Sequence, residues 1–261
     1  MCIRDSALAN VDRVVAFTRF GHDSILEARG PGAPRLEIDV IPHGVDTTVF
    51  HPIGRADARR ELFPDEPGMK DAFIVLNANR NQPFKRIDIT VEGFARFAHG
   101  KPPDVRLYLH MGTAAAAPGT VPLADRLGIR ERLLVTTRAD RHPDVSNARL
   151  NAIYNACDVG VNTSVGEGWG LVSFEHAATR AAQVVPRHTA CAELWQDAAL
   201  FIDPLTAEEL AARLEFLYDN RDACARLADA AHRLATRPDL QWAAIAAQWD
   251  RCFTELLTSS G

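Results

Sequence analysis

Between Phe73 and Ile202 the chain repeats one unit: a short apolar run, a turn, then apolar residues at helical spacing. The apolar runs read as strands at Phe73–Ala78, Asp104–His110, Leu133–Thr137, Val159–Asn162, Val184–Val185 and Leu200–Ile202. Between them, helical spacing is expected over Lys85–Ala98, Leu123–Leu127, Ala148–Cys157 and Leu171–Arg180. In the first of these helices Ile87, Val91, Phe94 and Ala98 share a face. Strands that alternate with helices imply a parallel sheet covered on both faces, an α/β doubly wound fold. Ligands of such sheets sit beyond the carboxyl ends of the strands, where the strand order reverses. The loops after Ala78, Thr137 and Thr163 are therefore the places where chemistry is expected.

Outside this core the pattern is looser. A short strand over Val14–Phe17 is followed by helical residues from Phe20 to Ala28, and Gly30–Pro34 breaks the helix. Ile38–Pro42 reads as a second short strand, His43–Asp46 as a turn, and Asp57–Leu62 as a polar helix. After the last strand come helices at about Ala207–Tyr218, Arg221–Ala235 and Gln241–Leu257. In the final one Trp242, Ile245, Trp249, Cys252 and Leu256 form an apolar stripe. Ala114–Ala117 reads as loop.

With 261 residues and 47% of them hydrophobic, a large core can form. A net charge of −5 leaves no basic footprint for nucleic acid. Five cysteines with no Cys-x-x-Cys pair favour a reduced compartment, hence cytoplasm. No run reaches the roughly 18 apolar residues of a membrane-spanning helix, and Met1–Leu8 lacks the apolar stretch of a signal peptide. The opening Met1–Ser6 is similar to translated adapter sequence at the end of a metagenomic fragment.

The strongest motif is Ser164-Val165-Gly166-Glu167-Gly168-Trp169-Gly170-Leu171-Val172-Ser173-Phe174-Glu175, where a strand gives way to a helix. Glycines let main-chain N–H groups come close to a ligand, and a helix N-terminus suits a phosphate. Glu167 and Glu175, with seven residues between them, would repel phosphate and are better matched to sugar hydroxyls. Taken alone, the same letters also describe a tight turn with solvated glutamates. Gly-x-Gly-x-x-Gly spacing is absent, which argues against a dinucleotide fingerprint. The second motif is Asn77–Arg86, in which Arg80 and Lys85 are spaced to clamp a diphosphate. Metal ligation has no sequence support: there is no His-Glu-x-x-His and no Asp-x-Asp. Cys191 has no activating base beside it, so a nucleophilic role is not expected.

These motifs together resemble the retaining GT-B enzymes of glycosyltransferase family 4. Glu167-Gly-Trp-Gly-Leu-x-x-x-Glu175 is similar to the family signature, with Trp169 in place of the usual Phe. Arg80 and Lys85 match the family's diphosphate-binding cations, although Asn79 and Arg86 replace glycines. Ile41-Pro42-His43-Gly44-Val45-Asp46 is similar to the interdomain linker, with His43 where Asn is usual. Thr189–Glu193 matches a later segment near the donor site. The resemblance runs from about Val11 to Leu257.

The resemblance implies a Rossmann-like GT-B C-terminal domain flanked by remnants of a second domain. The expected boundaries are 1–37 for an acceptor-domain remnant, 38–61 for the linker, 62–234 for the donor domain, and 235–261 for a helix that returns to the first domain. It further implies transfer of a hexosyl group from a nucleotide diphosphate sugar to an alcohol acceptor (glycan, lipid or small molecule), with retention and without metal or other cofactor. Glu167, Arg80 and Lys85 are the expected catalytic residues; Glu175, Gly168, Trp169, Gly170, Leu171 and Val172 are expected to bind the donor, with Glu175 on the ribose. The N-terminal domain is expected to be mostly absent, leaving a chain inactive by itself; peripheral membrane attachment, if any, would go through that domain. The same-fold alternatives are a sugar-nucleotide epimerase or a phosphorylase, and the alternative of another class is a nucleotide-sugar-binding module without activity.

Overall fold

The computed structural model describes residues 11–29, 36–112, 119–137 and 141–259. The expectations for Met1–Ser6, Gly30–Pro34 and Ala114–Ala117 concern residues outside that set.

Six strands form one parallel sheet: β3 (Phe73–Asn77), β4 (Val105–Leu109), β5 (Leu133–Val135), β6 (Val159–Val161), β7 (Ala182–Pro186) and β8 (Leu200–Ile202). Their order is β5-β4-β3-β6-β7-β8, and every pairing is parallel. The order reverses between β3 and β6, which is the crevice where a ligand is expected. Every residue of β3 is buried, as a central strand covered on both faces requires. Ile74 and Leu76 feed one core, with α2 (Arg55–Leu62), α5 (Asn147–Ala156), α6 (Leu171–Ala178) and α9 (Arg221–Ala235). Phe73 and Val75 feed the other, with α3 (Ile87–Ala98), α4 (Thr120–Arg126) and α8 (Ala207–Asp219). This alternation follows from the period-2 geometry of a strand.

A smaller two-stranded parallel ribbon precedes the sheet, β1 (Val14–Ala16) with β2 (Ile38–Val40), connected through α1 (Arg19–Arg29). The closing helix α10 (Trp242–Ser259) packs on it: Ile245 and Cys252 meet Ile41, with Val15 and Trp249 alongside. The linker and the start of α10 are zipped together by the Val45 N–H donating to the Leu240 carbonyl at 2.9 Å and by Thr47 donating to Gln241 at 2.8 Å. Gly44 is required there, because a Cβ would come within 2.9 Å of Trp242.

Several expected bounds change: the helix read at Leu123–Leu127 begins at Thr120, and the strand read at Leu133–Thr137 ends at Val135. The helix expected from Lys85 begins at Ile87, because Pro83–Lys85 closes a separate 3-10 turn and Arg86 is left-handed, with φ 46°. The strand read at Val184–Val185 is longer, running from Ala182 to Pro186, since its flanks are also buried. Thr189–Trp195 is a helix, α7, too short for its apolar spacing to have signalled it.

Candidate functional site

Two loops meet at the crevice. The loop after β3 carries Asn79 to Lys85, and the loop after β6 carries Ser164 to Gly170. Side chains on the strand ends and α3 lock the two together. Asn77 donates to the Thr90 hydroxyl at 2.8 Å, Thr90 and Thr163 share a hydrogen bond at 2.9 Å, and the Thr163 hydroxyl lies 2.9 Å from both the Lys85 and Arg86 carbonyls. The Val165 N–H donates to the Phe84 carbonyl at 2.8 Å. These bonds set the height at which Lys85 leaves its loop.

Between the loops lies a cleft of about 460 Å³. Arg80, Lys85, Glu167, Gly168, Trp169, Gly170, Leu171, Val172 and Glu175 all line it, so the residues named from sequence are brought to one place. Phe17, His43, Asn79 and Gln82 line it too.

Glu167 and Lys85 are a pair. Lys85 Nζ donates to Glu167 Oε1 at 2.5 Å, and Asn162 donates to the same oxygen at 3.0 Å. The lysine therefore arrives at the cleft held by a carboxylate. The first N–H groups of α6 have no side-chain cap, and Gly170 precedes them with φ 93°, a conformation that suits glycine. Arg80 is exposed at the other lip.

Glu175 sits one helical turn into α6 and accepts from the Tyr154 hydroxyl at 2.9 Å. Burial raises its pKa, and the tyrosine hydrogen bond opposes that. Tyr154 comes from α5 and stacks on His176 at 5.3 Å, which no local pattern in the sequence could indicate. The Trp169 ring is buried and stacks on Phe174 at 4.9 Å; beside the cleft it chiefly offers main chain. His43 is wedged between aromatic rings: Phe17 at 3.9 Å, Trp242 at 6.0 Å and Trp169 at 6.1 Å. Burial lowers its pKa and favours the neutral ring. Beyond Arg80, His110 and His142 meet edge to face at 5.2 Å. Burial and His142 lower the His110 pKa to about 4.

Glu193 does not line the cleft. Its carboxylate accepts the Arg19 N–H at 2.9 Å and the Phe20 N–H at 2.6 Å, capping α1. Cys191 is buried, and its pKa rises to about 12 through burial and the charge of Glu167, so it carries no thiolate. The loop after Thr137 lies partly outside the described residues. Among the described residues no helix is long and apolar enough to cross a membrane.

The family model for glycosyl transferases group 1 matches residues 72–220, which contain both cleft loops. The chain is 34% identical over 179 residues to D-inositol 3-phosphate glycosyltransferase of Nocardia farcinica, covering 66% of this chain and 37% of that protein. It is 33% identical over 180 residues to the enzyme of the same description from Xylanimonas cellulosilytica, covering 67% and 40%. The chain thus spans well under half the length of these relatives. Sucrose-phosphate synthase from Thermosynechococcus elongatus superposes with a TM-score of 0.81 at 21% identity, over 97% of this chain and 60% of that one. Anabaena HepE in complex with UDP and glucose gives 0.78 at 21%, over 95% and 65%. At that identity the two structures speak for the fold, which is that of GT-B glycosyltransferases.

Proposed function

The chain belongs to the glycosyl transferases group 1 family, and from that premise we propose that it forms the donor half of an enzyme transferring a hexosyl group from a nucleotide diphosphate sugar to an alcohol. The observation that carries this reading is the convergence of two cations, an uncapped helix N-terminus and two carboxylates on one cleft. Arg80 and Lys85 take the diphosphate, and the first N–H groups of α6 assist. Glu175, held by Tyr154, accepts from the ribose hydroxyls. Glu167 uses Oε1 for Lys85 and Asn162 and offers Oε2 to a sugar hydroxyl.

When the bond from the anomeric carbon to the phosphate oxygen breaks, negative charge grows on the leaving diphosphate. Lys85 and the helix end are held in position to meet it, and Arg80 adds its charge from the exposed lip. Glu167 keeps Lys85 from swinging away, and its own charge lies on the side of the positive sugar. The two cations provide the anion stabilisation that a divalent metal would otherwise provide, so donor binding is expected to proceed without metal. Retention at the anomeric carbon follows the resemblance to family 4, and the acceptor would bind on a second domain facing this cleft.

The test is calorimetric. UDP, GDP and ADP, and the matching nucleotide sugars, are titrated with and without a chelator. Binding that survives the chelator is expected; binding abolished by it overturns metal-free recognition. A hydrogen bond to a charged group contributes about 1.5–3 kcal/mol, so Glu175→Ala should weaken the nucleoside diphosphate about ten- to 150-fold. Glu167→Gln keeps the shape but removes a negative charge beside the phosphates. It should bind the diphosphate at least as well as the parent and the intact nucleotide sugar less well. Equal losses for the sugar-free diphosphate in both variants would show that the two glutamates are wrongly assigned.

A further inference from the structure

We propose that Thr189 is a positioning residue for Glu167, held in a strained conformation so that its hydroxyl can grip the glycine-rich turn. This rests on the reading of Glu167 as the group that faces the transferred sugar.

The turn from Ser164 to Gly170 is irregular and carries three glycines, yet its central carboxylate must be held still. Lys85 and Asn162 hold the carboxylate end. The main chain is held from the opposite flank by the junction between β7 and α7. There the Glu167 N–H donates to the Thr189 hydroxyl at 3.2 Å, and the Ala190 N–H donates to the Glu167 carbonyl at 3.3 Å. His188 Nε2 lies 3.0 Å from the Ser164 carbonyl, so that nitrogen carries the proton. Both main-chain polar groups of Glu167 thus end on two consecutive residues, Thr189 and Ala190.

Thr189 does this at φ 54°. A β-branched residue in the left-handed region is a true outlier, whereas glycine would adopt it without penalty. Glycine would give up the whole side chain, the methyl group together with the hydroxyl. That hydroxyl is not used to cap α7, which begins at Thr189 and has no side-chain cap. Among the described residues its hydrogen bond goes to Glu167. Strain held at a position where its relief would remove a contact to the cleft is the pattern expected of a functional constraint.

Three variants separate the clamp from a plain structural role. Thr189→Gly relieves the strain and loses the hydroxyl, Thr189→Val keeps the branched shape and loses the hydroxyl, and Thr189→Ser keeps the hydroxyl. Amide hydrogen exchange across the turn, the melting temperature and the two ligand affinities are measured in each. Thr189→Gly is expected to melt at or above the parent while the Glu167 amide exchanges faster. A neutral hydrogen bond contributes enough to weaken the intact nucleotide sugar about two- to twelvefold, with little change for the diphosphate alone. Thr189→Val should also speed exchange, and Thr189→Ser should restore protection and affinity. A structural residue would move stability and binding together. The inference is overturned if Thr189→Gly lowers the melting temperature and leaves Glu167 exchange unchanged, or if its ligand preference equals the parent's. Exchange and melting need no ligand. A parent chain that binds no nucleotide therefore sinks the functional reading, while the clamp is still decided by those two measurements.

Discussion

At the scale of single residues, burial decides which groups can carry charge. His176 is fully buried beside Tyr154 in the helix that carries Glu175, and its pKa falls to about 3. His110 falls to about 4. Both are neutral in the folded chain, while the unfolded chain takes up their protons near the ordinary value of 6.5. The folded state therefore binds fewer protons between those limits, and stability is lost as pH falls from 6.5 toward 4. Each histidine contributes at most about 1.4 kcal/mol per pH unit. Glu175 has a raised pKa and acts in the opposite sense, losing stability as pH rises through its shifted value. Urea unfolding at pH 7 and pH 5.5 is expected to show the net acid loss. In His176→Phe the slope should shrink by about one histidine's share; an unchanged slope would assign the loss elsewhere.

At the scale of elements, one buried ion pair ties α2 to the sheet. Arg59 donates to Asp158 at 2.8 Å, to the Ala156 carbonyl at 2.9 Å and to the Lys70 carbonyl at 2.8 Å. Asp158 also accepts the Ile74 N–H at 2.8 Å and pairs with Arg55 at 3.0 Å. The pair joins α2 to the starts of β3 and β6, the two strands whose far ends carry the cleft loops. Asp158→Ala leaves Arg59 buried and unpaired, so it should cost about 3–5 kcal/mol in denaturant unfolding. Replacing Arg59 and Asp158 together with apolar residues should restore most of that. A loss below about 1 kcal/mol in the single variant would show that water reaches the pair.

At the scale of the whole molecule, α10 and residues 41–47 hold the β1–β2 ribbon against the body built on the six-stranded sheet. The apolar stripe of α10 is divided along its length. Ile245 and Cys252 are closed off against Ile41, whereas the Trp242 ring is 45% exposed. Trp169 and Trp195 are buried beside the six-stranded sheet. Acrylamide should therefore quench two populations, and Trp242→Phe should remove most of the accessible one. Equal accessibility of all four tryptophans would contradict this packing. Ile245→Ala should loosen the ribbon, seen as faster amide exchange in β1 and β2 with β3 to β7 unaffected.

The alternation of apolar runs with helical stripes by itself determined the doubly wound sheet, because strand and helix periods are local properties of the chain. It also located both cleft loops, since each combines special backbone residues with charges at short spacing. Where the fold could be read only through distant partners, the sequence was silent. Nothing around Tyr154 announces that it will hold Glu175, nor around Glu193 that it will cap a helix 173 residues away. The pairing of Lys85 with Glu167 joins residues 82 positions apart, so two groups read as separate contacts share one hydrogen bond. Thr189 looks like an ordinary helix start until its left-handed backbone and its reach to Glu167 are seen together. Those assignments depend on which loops the parallel crossovers bring side by side, and only the assembled sheet decides that.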